Sequence, residues 1–381
     1  MDRSVRRLRR VALARSLSPA VTIQAAVDAL GYVQADPIRA PARAQDLILR
    51  QRVPGYRAGD LERRYPELDV EEDVVVNYGI VSRRIHGLLH PRPRHARSGI
   101  DRLVPGLSEA VATYVHTNGP CHPRQVEQAL GAGRVVNDWG GSSQATTRAL
   151  EALHVRGVLR VARRDDGVKV YEAARTVEPV PAAAAARELV RFVVTHLAPL
   201  PLPSLSVTLL RSAAGRLGDA LPAAVAEARA SWPRAAVDGE TYLWPPDTDP
   251  AKELADAGPP ESRVRFLAPF DPVVWDRRRF QRLWGWDYRF EAYTPAARRR
   301  FGYYALPVFW RDHAVGWVNA AVADGRLRLE VGSPTGALPA SAAFRRAFAA
   351  EAARFAHFLG VALDPTGRTE AGDSLRWPGA G

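Results

Sequence analysis

The chain has 381 residues, 25% charged and 46% hydrophobic, a size and balance that fit roughly two to four globular domains and exclude a disordered polypeptide. No apolar run approaches the roughly 18–20 residues of a membrane span, and the basic start Met1–Arg10 lacks the apolar core of a signal peptide, so the cytoplasm, near the nucleoid, is the expected location. The 53 Lys and Arg against 41 Asp and Glu leave a formal charge of +12, which suits a polyanion such as nucleic acid, although a GC-rich genome would give the same arginine bias without any function.

Residues 1–100 read as an N-terminal unit of winged-helix type. Val5, Leu8, Val11, Ala12 and Leu17 fall close to helical spacing, and so do Ile23, Ala26, Val27 and Leu30. Thr22 can cap the second helix and Gly31 can end it. Tyr32 and Val33 then favour an extended strand, and Pro37 prevents a helix from starting at Asp36. In that strand Gln34 and Asp36 stand at i and i+2, so an amide and a carboxylate leave one face and can hold a water between them. The plainer alternative is turn chemistry at Asp36-Pro37 beside a solvated glutamine. A third helix is predicted over Ala42–Gln51, and a long one over Val74–His90, where three successive valines make strand the rival. His86, His90 and His95 lie close together but without carboxylate or cysteine company, so they are read as solvated or phosphate-facing, and no metal is expected.

Residues 101–178 carry a winged-helix order. A helix capped by Ser108 is followed by Pro123–Leu130 and by a third helix over about Gln144–Arg156. Two β-runs then follow, Val158–Arg163 and Val168–Tyr171, joined by the hairpin signal Asp165-Asp-Gly167. Gln144, Thr147 and Arg148 fall on the outward side of the third helix. Gln144, Arg148 and Arg124 are therefore candidate DNA contacts, unless the module serves protein association. The single cysteine, Cys121, excludes an internal disulfide framework and a cysteine metal cluster.

Residues 179–260 read as a third helical unit of the same type, with helices over Arg187–Leu197, Leu205–Leu210 and Pro222–Ala230, a strand at Tyr242–Trp244 and a linker after it. Residues 261–381 turn β-rich, with runs at Val264–Leu267, Tyr303–Trp310, Ala314–Val322 and Leu327–Val331, and a closing helix with Phe344, Phe348, Phe355 and Phe358 on its core face. The fold class is α+β, with tandem winged-helix units before a small C-terminal β-barrel-like domain.

Three stretches extend the argument. Leu30-Gly-Tyr-Val-Gln-Ala-Asp-Pro37 with Arg43-Ala-Gln-Asp-Leu-Ile-Leu-Arg50 opens the chain, and Leu267-Ala-Pro-Phe-Asp-Pro-Val-Val-Trp-Asp-Arg277 comes late in it. Tyr288-Arg-Phe-Glu-Ala-Tyr-Thr-Pro-Ala-Ala-Arg298 with Phe301-Gly-Tyr-Tyr-Ala-Leu-Pro307 follows. In order and spacing they resemble the crosslink-repair DNA glycosylase family known as YcaQ, whose relatives include the self-resistance glycosylase AlkZ. The resemblance is to the Gln-x-Asp branch, since AlkZ carries Gln-x-Gln at this place. It implies tandem winged-helix domains and a β-barrel curving around duplex DNA, and excision of N7-alkylguanine, including unhooking of interstrand crosslinks. Gln34 and Asp36 match the family's catalytic positions. Two stretches depart from the pattern: Val76–Ile80 stands where members carry an acidic-aromatic-Trp-x-His run, and Gly316–Asn319 where an Arg and an Asp are common.

The expected chemistry follows. An N7-alkylated guanine is cationic and leaves as a neutral base, so no general acid is needed. Asp36 would activate water and face the oxocarbenium-like sugar, and Gln34 would position the water. Arg39, Arg43, Arg50 and Arg52 are candidate phosphate contacts, with a solvated helix face as the alternative for each. The only lysines, Lys169 and Lys252, fall in the hairpin and the linker, so a Schiff-base lyase step is not expected. No cofactor is expected; the partner is double-stranded DNA carrying alkylated purines, and the protein is read as a monomer. The competing readings are a non-enzymatic winged-helix regulator and a self-resistance protein that sequesters a DNA-damaging natural product.

Overall fold

A computed structural model describes residues 3–90, 99–136, 140–364, 366–369 and 374–376, in a mixed α+β fold. The chain divides into two compact units. One is built from Met1–Asp60, Val190–Ser206 and Ala223–Gly381, the other from Leu61–Leu189 and Val207–Pro222.

In the first unit, helix Arg3–Ser16 buries Leu8, Val11, Ala12 and Leu13. Helix Ile23–Leu30 starts where the Thr22 side chain accepts a bond from the Ala25 amide, and it ends at Gly31, whose φ of 69° is the left-handed value a helix cap requires. Strand Tyr32–Gln34 follows, then helix Ala44–Leu49, which buries Ala44, Leu47, Ile48 and Leu49.

The β-rich part is a seven-stranded sheet. Its linear order is Val264–Phe266, Leu306–Trp310, His313–Ala323, Arg326–Gly332, Thr366–Thr369 and Ser374–Arg376, with Ala362–Leu363 also paired to Arg326–Gly332. Helix Ala342–Leu359 packs over it and buries the four phenylalanines of its apolar stripe. The Phe266 ring meets Phe348 at 5.1 Å and Phe355 at 5.8 Å. A second sheet orders Leu200–Pro201, Glu240–Leu243 and Arg234–Val237. The stretch read as a linker carries helix Pro250–Asp256, begun by the Asp249 carboxylate on the amides of Ala251 and Lys252.

This unit is tied internally by buried arginines. The Arg52 guanidinium donates to Asp271 at 2.8 Å, to the Ser16 carbonyl at 2.9 Å and to the Ile48 carbonyl at 2.8 Å. Arg50 donates to Glu351 at 2.8 Å and lies over the Phe355 ring at 4.6 Å. Arg279, fully buried, donates to the carbonyls of Ala198, Pro199, Pro272 and Val273.

In the second unit the long helix expected over Val74–His90 does not form. Strands Val70–Val74 and Tyr78–Ser82 pair as an antiparallel hairpin in the register Val74↔Tyr78, and only Arg83–Leu89 is helical, capped by the Ser82 hydroxyl. The β-branched run wins because Glu71, Glu72 and Asp73 each find a buried partner in the extended form (below). Helix Leu107–Asn118 begins at Gly106 rather than at a Ser108 cap; Ser108 lies buried inside its first turn. Helices Pro123–Leu130 and Ala145–Val155 follow. The hairpin Leu159–Asp165 with Val168–Ala173 turns at Asp166 and Gly167, whose φ of 49° and 85° are the left-handed pair of a tight hairpin turn.

Removing the cation of a fully buried pair leaves a carboxylate stranded in the core. Arg52→Ala should therefore lower the free energy of unfolding by about 3–5 kcal/mol in urea titrations.

Candidate active site

The Gln-x-Asp segment is held from both ends. Gln34 closes the short strand and is buried, 6% exposed. Asp36, half-buried, leaves the strand in an Asx turn, its Oδ1 accepting from the Ile38 amide at 2.8 Å. The Asp36 amide donates to the Gln45 side-chain oxygen at 3.4 Å, which links the turn to helix Ala44–Leu49. Burial raises the Asp36 pKa above the ordinary carboxylate value, and the Ile38 amide only partly opposes that. A carboxylate in this state is a stronger base than one in open water.

A tyrosine that sequence reasoning did not single out joins this site. Tyr304 is 2% exposed, and its hydroxyl is buried without a hydrogen-bond partner. Its pKa is pushed well above the ordinary phenol value, first by burial and next by the Asp36 carboxylate, the largest of the charges acting on it. A buried, unsatisfied hydroxyl is costly and uncommon in a folded protein.

Around Tyr304 runs a ladder of rings towards solvent. Phe290 meets Tyr304 edge-on at 5.2 Å and Phe270 at 4.9 Å, and it meets the exposed Tyr293 at 6.0 Å. Tyr303 is also exposed and carries the Arg299 guanidinium over its face at 5.0 Å; Arg298 and Arg300 flank it in the open.

The segment carrying these rings has little regular structure, yet it is fixed. The Glu291 carboxylate, buried, accepts from the amides of Arg300 and Phe301 at 2.8 Å each. The Tyr288 hydroxyl donates to the Ala305 carbonyl at 2.7 Å. Asn319, at one of the departures from the family pattern, donates to the Phe301 carbonyl at 2.7 Å. Gly302 is required beside it: a Cβ there would lie 2.3 Å from the Asn319 amide nitrogen, and its φ is 105°. The motif residues Tyr288, Glu291 and Phe301 thus act as scaffold for the ring-bearing loop.

The other candidate residues separate into two groups. Arg39 is exposed two positions after the Asx turn's proline, and Arg43 is half-buried at the N-terminus of helix Ala44–Leu49. Arg50 and Arg52 are corrected: both guanidinia are turned inward, on Glu351 and Asp271, and neither is available to a phosphate. In the second unit Arg124 is exposed in the first turn of its helix, and Gln144 and Arg148 are half-buried at the start of helix Ala145–Val155. Lys169 sits over the Tyr78 ring at 4.0 Å, and Lys252 is exposed on helix Pro250–Asp256. The expectation that the clustered histidines have no carboxylate neighbour is overturned by Asp73, as described below; His95 lies outside the described residues.

Across residues 27–358 the sequence matches the family described as DNA glycosylase AlkZ-like. The structure is similar to that of the Streptomyces sahachiroi DNA glycosylase AlkZ, with a TM-score of 0.60 at 18% sequence identity over 96% of this chain and 98% of that one, a likeness of fold.

Because the Tyr304 hydroxyl has no partner to lose, Tyr304→Phe should leave folding stability unchanged or raise it by up to about 1–3 kcal/mol in thermal or urea unfolding.

Proposed function

The chain belongs to the AlkZ-like DNA glycosylase family, and from that premise we propose that it hydrolyses the N-glycosidic bond of N7-alkylguanine in duplex DNA, with Asp36 and Gln34 as the catalytic pair. One observation carries the reading: a half-buried carboxylate of raised basicity stands two residues from a buried amide, and its charge acts on a buried hydroxyl with no partner of its own.

The N7-alkylated base is positively charged and departs neutral, so the bond breaks with charge building on the sugar. Asp36 as an anion stabilises that charge and takes a proton from the water that attacks C1′. Gln34 offers an acceptor and two donors to hold that water in line. The base must leave the stack to reach a pocket of this kind, and the ring ladder Tyr293–Phe290–Tyr304 offers faces on which bases can stack. Arg39, Arg43, Arg298 and Arg300 suit the phosphates near the lesion. Arg124, Gln144 and Arg148 suit duplex contacts by the three-helix-and-hairpin module, read here as one of the tandem winged helices, with the seven-stranded sheet as the barrel-like domain. No lysine is assigned to the chemistry, so the reaction stops at an abasic site.

The test is release of free 7-methylguanine from methylated duplex DNA. Asp36→Asn and Gln34→Ala should each lower the rate by about 10²–10⁴-fold while salt-dependent DNA binding persists; undiminished release by either variant would overturn the assignment. Thermal melting should show no loss for Asp36→Asn, because the native site disfavours the ionised carboxylate. The sign of the pH effect follows from the raised Asp36 pKa. Activity needs the ionised form, so the rate falls as pH drops through a value above the unperturbed ~3.9, and that acid limb disappears in Asp36→Asn. Incubation of the wild type with the same substrate, without added alkali, should give no strand scission.

A further inference from the structure

Strand Val70–Val74 carries three successive acidic residues, Glu71, Glu72 and Asp73, all buried. Carboxylates in a core need partners. Glu71 accepts from Arg160 at 2.8 Å and from Arg83 at 3.0 Å. Glu72 accepts from Nη2 and Nε of Arg164, at 2.5 and 2.7 Å, and from the Tyr78 hydroxyl. Asp73 is matched differently: its neighbours are imidazoles.

His86 and His90 are four residues apart on and just beyond helix Arg83–Leu89, so the helix turns both rings to one side. The rings stack at 4.3 Å and 27°. Both Nε2 atoms approach the same oxygen, Asp73 Oδ2, His90 at 2.7 Å and His86 at 3.8 Å. The three donor atoms lie within 4.8 Å of one another. Zinc bound to imidazole nitrogen and carboxylate oxygen at about 2.0–2.2 Å sets tetrahedral ligand atoms about 3.4 Å apart. The two separations to Asp73 bracket that value.

The surroundings hold the ligands in place. Asp73 Oδ1 accepts from the Val74 amide at 2.6 Å, which leaves Oδ2 to the histidines. The His90 ring rests on Gly157, where any Cβ would come within 2.5 Å of its Nδ1. His90 and Asp73 are buried and His86 is half-buried, so the open side of the trio is the side of His86. The nearby His154 is engaged elsewhere, with the Leu159 carbonyl at 3.2 Å and the Tyr78 hydroxyl at 3.3 Å.

We propose that Asp73, His86 and His90 form a binding site for a divalent transition metal of the zinc class, with water completing the coordination on the His86 side. Two neutral imidazoles and one carboxylate are a common donor set for zinc, and three protein ligands with one open position are a known arrangement. The metal would fasten helix Arg83–Leu89 to the strand beneath it and has no part in the chemistry assigned to Asp36.

Zn²⁺ alone is the probe, added to full-length protein stripped with a chelator. The expected result is one equivalent retained after dialysis and a rise in Tm, with Co²⁺ in its place giving visible absorption bands of four-coordinate nitrogen and oxygen ligation. His86→Ala and Asp73→Asn should weaken binding by about tenfold or more and abolish the Tm rise, whereas His122→Ala, at a helix cap elsewhere in the unit, should change neither. His86→Ala leaves the buried Asp73–His90 hydrogen bond in place, and circular dichroism checks that it folds. Absence of stoichiometric Zn²⁺ in the wild type, or equal retention by wild type and His86→Ala, would overturn the proposal. Base release is read separately, so failure here leaves the glycosylase reading intact, and the reverse holds too.

Discussion

The clamp made by Arg52 determines where the Gln34–Asp36 segment can lie. One guanidinium reaches the end of the first helix at Ser16, the helix that follows Gln34 and Asp36 at Ile48, and the Asp271 carboxylate that starts helix Pro272–Trp275. Arg52 and Asp271 alone are 219 residues apart in sequence. Five donors in a rigid plane suit arginine to such a junction, and a lysine point charge would not span it. Arg50 on Glu351 and Arg279 on four carbonyls repeat the device nearby. With the scaffold fixed in this way, Asp36 can be held half-buried against its own preference for water.

That burial is where structure becomes chemistry. A desolvated carboxylate whose charge acts on an unsatisfied buried phenol is an unfavourable arrangement for folding alone, and it persists because the rest of the unit over-determines it. The loop bearing Tyr304 shows how. It has almost no helix or strand, yet Glu291, Tyr288 and Asn319 bond its backbone at four places, so rings without secondary structure stand at fixed positions.

Much of this was legible in the sequence because it is local. Thr22, Gly31 and the Asp-Gly turn at 166–167 act through neighbours a few residues away, and they behave as their types predict. Gln34 and Asp36 drew notice as two polar residues expected on one side of an extended segment; the strand ends at Gln34, and Asp36 stands in the turn chemistry that was the alternative. Where the outcome depended on distant partners, spacing misled. Arg50 and Arg52 looked like solvent-facing cations until Glu351 and Asp271 were brought to them. The run from Val74 looked helical, but strand Val70–Val74, whose Glu71 and Glu72 are held by Arg160 and Arg164 some ninety residues on, pairs with Tyr78–Ser82 instead. Tyr304 lies within the Phe301–Pro307 motif, but nothing in that run gave it a role of its own; its meaning comes from the charge of Asp36 acting on it. Asp73 belongs with these, since nothing in the order of residues joins it to His90.

The chain contains two lysines, and the clamps formed by Arg50, Arg52 and Arg279 all use guanidinium groups instead. Their weak side is acid. Glu351, held below the usual carboxylate range by Arg50 and Arg354 against the opposing effect of burial, keeps the clamp closed at neutrality and surrenders it only as falling pH titrates that carboxylate. His196, its pKa lowered to about 4 chiefly by desolvation, adds a second liability in the same direction, because the unfolded chain takes up that proton near 6.5 and the folded one refuses it. A protein fastened in this manner fails by souring.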